Sequence, residues 1–159
     1  CFKFMGRRFG VDLVGEKMSP EAARQVLASA ANHFGLEPVT LMAVNGENQS
    51  RPRYIALFSS GKEQASYRVC AEASAWVECE LRGHFHYELA RDLRQLEPAI
   101  AMIAQDGWRI CQDVAIAGGM IEGNIKPEPV RRVQRQAVQQ ILPELAFALV
   151  ADSVLERAS

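Results

Sequence analysis

Several classes of protein are excluded by what the sequence lacks. No uninterrupted apolar run reaches the roughly 18 residues that a membrane-spanning helix needs, so we expect no membrane partner and a cytoplasmic location. The four cysteines include no CxxC pair and have no histidine at ligand spacing, so no zinc or dithiol redox site is predicted. The 18 basic and 19 acidic side chains nearly cancel, which argues against a nucleic-acid partner.

Lysine is also scarce, because only four of the 18 basic residues are lysines and the rest are arginines. A lysine within a motif therefore stands out from the background. The 159 residues, 48% of them hydrophobic, are enough for one hydrophobic core and predict a single domain. The chain begins with Cys1 and runs directly into a strand-like segment, so we expect it to be a piece of a longer protein.

Chain breakers and apolar periodicity predict an α+β fold. Two extended runs, 2–5 and 11–14, flank a turn with a glycine at each end and predict an N-terminal strand pair. Ser19 can cap a helix that Pro20 begins, and Gly35 ends that helix.

The rest of the chain predicts further strands and helices. They are expected as strands at 39–44, 54–58 and 99–104, the first two antiparallel, and as helices at 63–82, 87–95 and 108–117. A helical tail is predicted over 130–159 by one apolar helical face that contains Val130, Val133, Ala137 and Ile141. The expected architecture is a small, mostly antiparallel sheet with helices packed on it, divided into strands 1–14, a core 15–129 and the tail.

Two groups of cations near the N-terminus lie beside glycines. Gly6 precedes Arg7 and Arg8, and Gly15 is followed by Glu16 and Lys17 just before the predicted helix. Cations on a tight backbone near a helix start suit contact with a phosphate or a carboxylate. Solvated charges at strand ends are the alternative, and composition alone favours that reading.

A glycine-rich loop over 118–127 carries a single cation, Lys126. The loop lacks the GxxxxGK[ST] spacing, so it is not a phosphate-binding P-loop. A lysine on such a loop can still bring a point charge to a charged site. The alternative is an exposed lysine before a turn proline, which the spacing alone favours.

A third group contains His84, His86, Tyr87 and Arg91. No acidic or cysteine partner supports the two histidines, and a helix would splay their rings apart, so no metal is predicted. Tyr87 and Arg91 are four residues apart and are expected to pack and pair structurally. Since no GxSxG, HExxH or paired-carboxylate motif is present, the chain by itself is not predicted to be an independent enzyme.

Taken together, these motifs resemble a known family in their order along the chain. Residues 4–19 look like a crossover segment between two domains, 86–98 look like a tyrosine–arginine segment, and 119–127 look like a terminal glycine and lysine loop. In this order they resemble the C-terminal domain of the auxin-responsive acyl-acid amido synthetases, a branch of the adenylate-forming enzymes. The resemblance covers about residues 2–132.

The resemblance implies a mobile lid domain that is inactive by itself. The full-length enzyme would use ATP and Mg²⁺ to activate a carboxylic acid as an acyl-adenylate, and an amino acid amine would then attack it. The missing N-terminal adenylation domain would be the partner, and the isolated domain would hold no cofactor. The resemblance assigns Lys126 to the adenylation centre, Lys17 and Arg7 to phosphate contacts, Gly6, Arg8 and Gly10 to the hinge, and Tyr87, Arg91 and Gly123 to a structural motif.

Two other functions remain open at this point. The chain could be the corresponding domain of an acyl-CoA ligase, in which a thiol replaces the amine as the acceptor. It could also be a non-catalytic α+β interaction or ligand-binding module that forms a homodimer through its apolar tail.

Overall fold

The computed structural model describes residues 11–46, 50–61 and 65–142, and it has the predicted α+β fold. The described helices are α1 Pro20–Phe34, α2 Tyr67–Arg82, α3 Phe85–Asp92, α4 Gly107–Ala117 and α5 Arg135–Ile141, with a 3₁₀ turn at Glu122–Asn124. The described strands are β1 Glu37–Val44, β2 Arg53–Ser59, β3 Ile100–Ala104 and β4 Val130–Val133. None of these helices has both the length and the apolar character that crossing a bilayer requires.

The four described strands form one mixed sheet in the order β3-β2-β1-β4. Only β1 and β2 pair antiparallel, as predicted, whereas β3 pairs parallel to β2 and β4 pairs parallel to β1. The expectation of a mostly antiparallel sheet is therefore wrong. The physical reason is the long connection through α2 and α3, which carries the chain back over the sheet so that β3 can run parallel to β2.

The first helix begins and ends where its sequence predicts. The hydroxyl of Ser19 accepts a hydrogen bond from the Ala22 amide at 3.0 Å, and Pro20 occupies the first helical turn, where no amide partner is needed. Gly35 adopts the left-handed conformation with a φ of 67° and closes the helix. Local residue chemistry is therefore sufficient to define α1.

The sheet is buried on both faces, and every residue of β2 is buried. Side chains from α1, α2 and α3 pack on one face, against alternate strand residues that include Leu41, Tyr54 and Phe58. Helices α4 and α5 pack on the other face, against Met42 and Ile55. The two layers of helices give the sheet two hydrophobic cores, and alternation along each strand supplies both of them.

Only the second half of the predicted N-terminal strand pair can be compared with the structure. The first run and the turn with Gly6, Arg7, Arg8 and Gly10 lie outside the described residues. The second run, 11–14, is not a strand. Val11 makes an isolated antiparallel bridge with Met18 through two backbone hydrogen bonds of 2.9 and 2.7 Å, because the chain turns back at once toward α1.

The helical tail is confirmed over Arg135–Ile141, which forms α5, but it is wrong over Val130–Val133, which forms strand β4. Pro127 and Pro129 favour extended backbone before this strand, and pairing with β1 buries Val130 and Val133 in opposite cores. The sheet thus extends past residue 129, the predicted end of the core. Residues 143–159 lie outside the described residues.

Candidate functional site

Lys126 lies on the surface segment that connects α4 to β4, and its side chain is exposed. The backbone on either side of it is anchored. The neighbouring Ile125 is buried, and the guanidinium of Arg131 donates a hydrogen bond to the carbonyl of Lys126. The segment therefore presents an exposed ammonium group from a backbone that two contacts hold in place.

Lys17 is also exposed and lies in the turn that leads into α1. Its φ of 48° is left-handed, which is uncommon for a residue with a side chain. The turn is held by the buried carboxylate of Glu16, which accepts hydrogen bonds from the amides of Leu13 and Val14 at 2.7 and 2.8 Å. The hydroxyl of Tyr54 in β2 donates to the same carboxylate and so ties the turn to the sheet.

Strand β4 connects both lysine-bearing segments. Arg131 pairs with Met42 of β1, and Arg132 pairs with Ala43, so the two arginines project toward opposite faces of the sheet. Arg131 bonds the Lys126 carbonyl on one side, while Arg132 donates to the carbonyl of Asp12 in the Lys17 turn on the other. We refer to Lys17, Lys126, Arg131 and Arg132 as the β4 edge.

A cleft of about 310 Å³ lies beside the β4 edge, between α1 and the residues that follow Lys126. Its walls include Leu27 and Val39 on the apolar side and Arg24 and Glu128 on the charged side. This volume is at the lower end of the range for small-molecule sites. Lys17, Lys126 and Arg132 of the β4 edge are exposed and Arg131 is buried, and none of the four lines the cleft. The exposed ammonium groups of Lys17 and Lys126 can contact an anionic group from the open surface.

Tyr87 and Arg91 bind one partly buried carboxylate, that of Glu78. The Tyr87 hydroxyl and the Arg91 Nε donate to Glu78 of α2 at 2.5 and 2.7 Å. Arg91 also donates to the Leu96 carbonyl at 2.8 Å. Burial, reinforced by the charge of Glu78, raises the pKa of Tyr87 above its ordinary value. These contacts give both residues a structural role in joining α3 to α2.

Gly123 and the remaining predicted residues give a mixed outcome. Gly123 is exposed in the 3₁₀ turn, and a Cβ atom added there would meet nothing within 4 Å, so its described surroundings do not require glycine.

Arg7 and the hinge residues Gly6, Arg8 and Gly10 lie outside the described residues. Across the ranges that the structure describes, no group of three His, Cys, Asp or Glu side chains is placed to hold a metal.

Sequence reasoning missed Glu16, Glu78, Arg131 and Arg132. The sequence carries only a weak signal for the two arginines, because Val-Arg-Arg-Val after two prolines fits a short strand with one arginine on each face as well as it fits the predicted helix. Glu78 lies beside the buried face formed by Val77 and Leu81, which hints at a partly buried carboxylate. Glu16 carries no comparable local signal, since its partners come from the turn geometry and from a distant strand.

Neither a protein-family model nor a curated protein matches the chain. The resemblance described above therefore depends on the residues and motifs themselves.

Proposed function

We propose that this chain is the mobile C-terminal domain of an ATP-dependent acyl-acid amido synthetase and is inactive by itself. The order of its motifs supports the proposal, and the exposure of Lys126 is the observation that carries it. A lid residue must reach a reaction centre on another domain, so its ammonium group has to lie on an open surface. Lys126 meets this requirement on a segment whose backbone Arg131 and Ile125 hold.

On this proposal Lys126 acts in the activation step. The carboxylate oxygen of the acid attacks the α-phosphorus of ATP, a new phosphorus–oxygen bond forms, and pyrophosphate leaves. The Lys126 ammonium neutralises negative charge that builds up on the phosphate oxygens during this exchange. Lys17 supplies a second contact with a phosphate or with the interface between the domains.

The residues fit the phosphates of ATP but not its metal ion. Lysine ammonium groups donate hydrogen bonds and carry positive charge, so they pair with phosphate oxygens and do not coordinate Mg²⁺. The metal would therefore be held with ATP by the adenylation domain. In the second step the amino acid nitrogen forms a bond to the acyl carbon, AMP leaves, and the nitrogen loses a proton.

The test uses the native polypeptide that contains this chain, with acid-dependent release of pyrophosphate as the measurement. Lys126→Ala should lower the rate by about 100-fold or more, because a point charge at the developing phosphate charge is lost. Lys126→Arg should retain part of the rate. The matched control is Arg68→Ala, which removes an exposed cation from α2 and should leave the rate unchanged.

The acceptor is tested separately once pyrophosphate release is established. Amino acids should accelerate turnover and yield an amide, whereas turnover with coenzyme A alone would assign the chain to the acyl-CoA ligases. If no carboxylic acid supports pyrophosphate release, or if Lys126→Ala has the wild-type rate, the proposed role of this domain is wrong.

A further inference from the structure

The cleft between α1 and the residues that follow Lys126 has no part in the proposed function. Its volume is about 310 Å³, and its lining includes Leu27 of α1 and Val39 of β1. Pro127 and Pro129 also line it, and a proline ring offers hydrocarbon without a backbone N–H. Apolar groups therefore supply much of the lining, which favours a ligand with an apolar body.

Two opposite charges line the same cleft from different segments of the chain. Arg24 of α1 and Glu128 are both exposed, and both belong to the lining. Within the described residues, the Arg24 guanidinium makes no hydrogen bond or ion pair. The Glu128 carboxylate lies 3.8 Å from Arg131 Nη2, at the outer limit of an ion pair, and its side chain is half exposed to water. Both charged groups are therefore available to a ligand.

The two charges narrow the chemistry of the ligand. A simple anion would be attracted by Arg24 but repelled by Glu128, and a simple cation would meet the reverse. Glycine carries both charges, but it has no hydrocarbon for the apolar lining to bury. A ligand satisfies the whole cleft only if it carries both charges with an apolar body between them.

We propose that this cleft binds a small zwitterion whose carboxylate and ammonium groups lie at opposite ends of an apolar body. The carboxylate accepts hydrogen bonds from the Arg24 guanidinium, and the ammonium group donates to the Glu128 carboxylate. The hydrocarbon between them lies against Leu27, Val39 and the two prolines. The inference goes beyond the proposed function, since it requires neither ATP nor a second domain.

The experiment is an NMR titration of the 159-residue chain with 6-aminohexanoate at pH 7 and constant ionic strength. The backbone amides of Leu27 and Val39 should shift together and saturate, with a dissociation constant on the order of 1 mM, because exposed ion pairs contribute little each. Three probes each lack one feature, since hexanoate has no ammonium group, hexylamine has no carboxylate and glycine has no hydrocarbon. Each should bind about threefold more weakly than 6-aminohexanoate, or worse. Equal binding of any of the three, or amides of Leu27 and Val39 that 6-aminohexanoate does not move, would overturn the proposal.

Two variants assign the ends of the ligand to their partners. In Arg24→Gln, 6-aminohexanoate should bind no better than hexylamine, and in Glu128→Gln it should bind no better than hexanoate, because each variant removes the partner of one end. Both side chains are exposed, so both variants should unfold at the wild-type temperature. The matched control is Arg109→Gln, which removes an exposed cation from α4 and should leave the affinity unchanged.

Wild-type affinity for 6-aminohexanoate in either Arg24→Gln or Glu128→Gln would contradict the assignment. An equal loss in Arg109→Gln would also contradict it, because the effect would then come from the net charge of the protein and not from this cleft.

Discussion

At the scale of single residues, Glu78 joins three helical or strand segments through its carboxylate. It accepts hydrogen bonds from Tyr87 and Arg91 of α3, and from the Ala99 amide just before β3 at 3.3 Å. The sequence predicted that Tyr87 and Arg91 would share a helical face. It could not predict Glu78 as their common partner, because the hydrogen bonds form only when α2 and α3 pack together.

Replacement of Glu78 is expected to destabilise the protein strongly. Glu78→Ala leaves the Tyr87 hydroxyl and the Arg91 guanidinium buried without their shared acceptor, so the free energy of unfolding should fall by about 3 kcal/mol. The matched control is Glu72→Ala on the same helix, whose exposed pair with Arg68 should contribute less than about 0.5 kcal/mol. Urea unfolding measures both. Similar losses in the two variants would contradict the shared hydrogen-bond network at Glu78.

Two buried tyrosines are expected to set the alkaline limit of stability. Burial, with the charge of Glu16, raises the pKa of Tyr54, and burial, with the charge of Glu78, raises the pKa of Tyr87. In the unfolded chain both ionise near their ordinary pKa of about 10. Above that pH the unfolded state loses protons that the folded state keeps, so the free energy of unfolding falls as pH rises.

The pH dependence of the free energy of unfolding distinguishes the buried tyrosines from the exposed Tyr67. Each buried tyrosine should contribute a loss of about 1.4 kcal/mol per pH unit above pH 10, and none below that range. Tyr87→Phe should remove one such contribution, whereas Tyr67→Phe should not, because Tyr67 is 90% exposed. Urea unfolding at a series of pH values gives the slopes. A Tyr87→Phe slope equal to that of the wild type would show that Tyr87 ionises normally in the folded protein.

At the scale of elements, the sequence predicts helix ends better than it predicts β4. The ends of α1 depend on Ser19 and Gly35, whose effects are local, so sequence alone locates them. Residues 130–133 are too few to show a clear period, and their apolar spacing also fits a helix. Pairing with β1 decides in favour of a strand, and that contact is invisible in a local pattern.

The start of α4 depends on a close approach to the sheet that only glycine allows. A Cβ atom on Gly107 would lie 2.8 Å from Ser59 Oγ and from Val39 Cγ2, and 2.9 Å from the Phe58 carbonyl. The Gly107 amide also donates to Ser59 Oγ at 2.7 Å. Helix α4 therefore packs on β2 at a distance that a larger residue would have to increase.

Two glycine substitutions test this packing. Gly107→Ala should lower the free energy of unfolding by about 2 kcal/mol, because α4 must shift on the sheet. Gly123→Ala is the matched control, since its added methyl group meets nothing within 4 Å, and it should change stability by less than about 0.5 kcal/mol. Thermal unfolding compares the two. A Gly107→Ala protein as stable as the wild type would contradict the close approach of α4 and β2.

At the scale of the whole molecule, strand order and site assembly lie beyond what the sequence reveals. The antiparallel β1–β2 pair was predicted because its strands follow each other along the chain. The two parallel pairs depend on how helices pack on both faces of the sheet, which is a long-range property. The scarcity of lysine and the neighbouring glycines single out Lys126 and Lys17 in the sequence, but the hydrogen bonds by which Arg131 and Arg132 connect their segments to β4 appear only in the fold.

The central proposal is that Lys126 neutralises the charge that develops on the phosphate oxygens while ATP and an acid react on another domain. The most direct test is the rate constant of acyl-adenylate formation in the first turnover of the native polypeptide that contains this chain. We predict that Lys126→Ala lowers this rate constant by about 100-fold or more. The variant should unfold at the same temperature as the wild type. A first-turnover rate constant equal to that of the wild type would contradict the account.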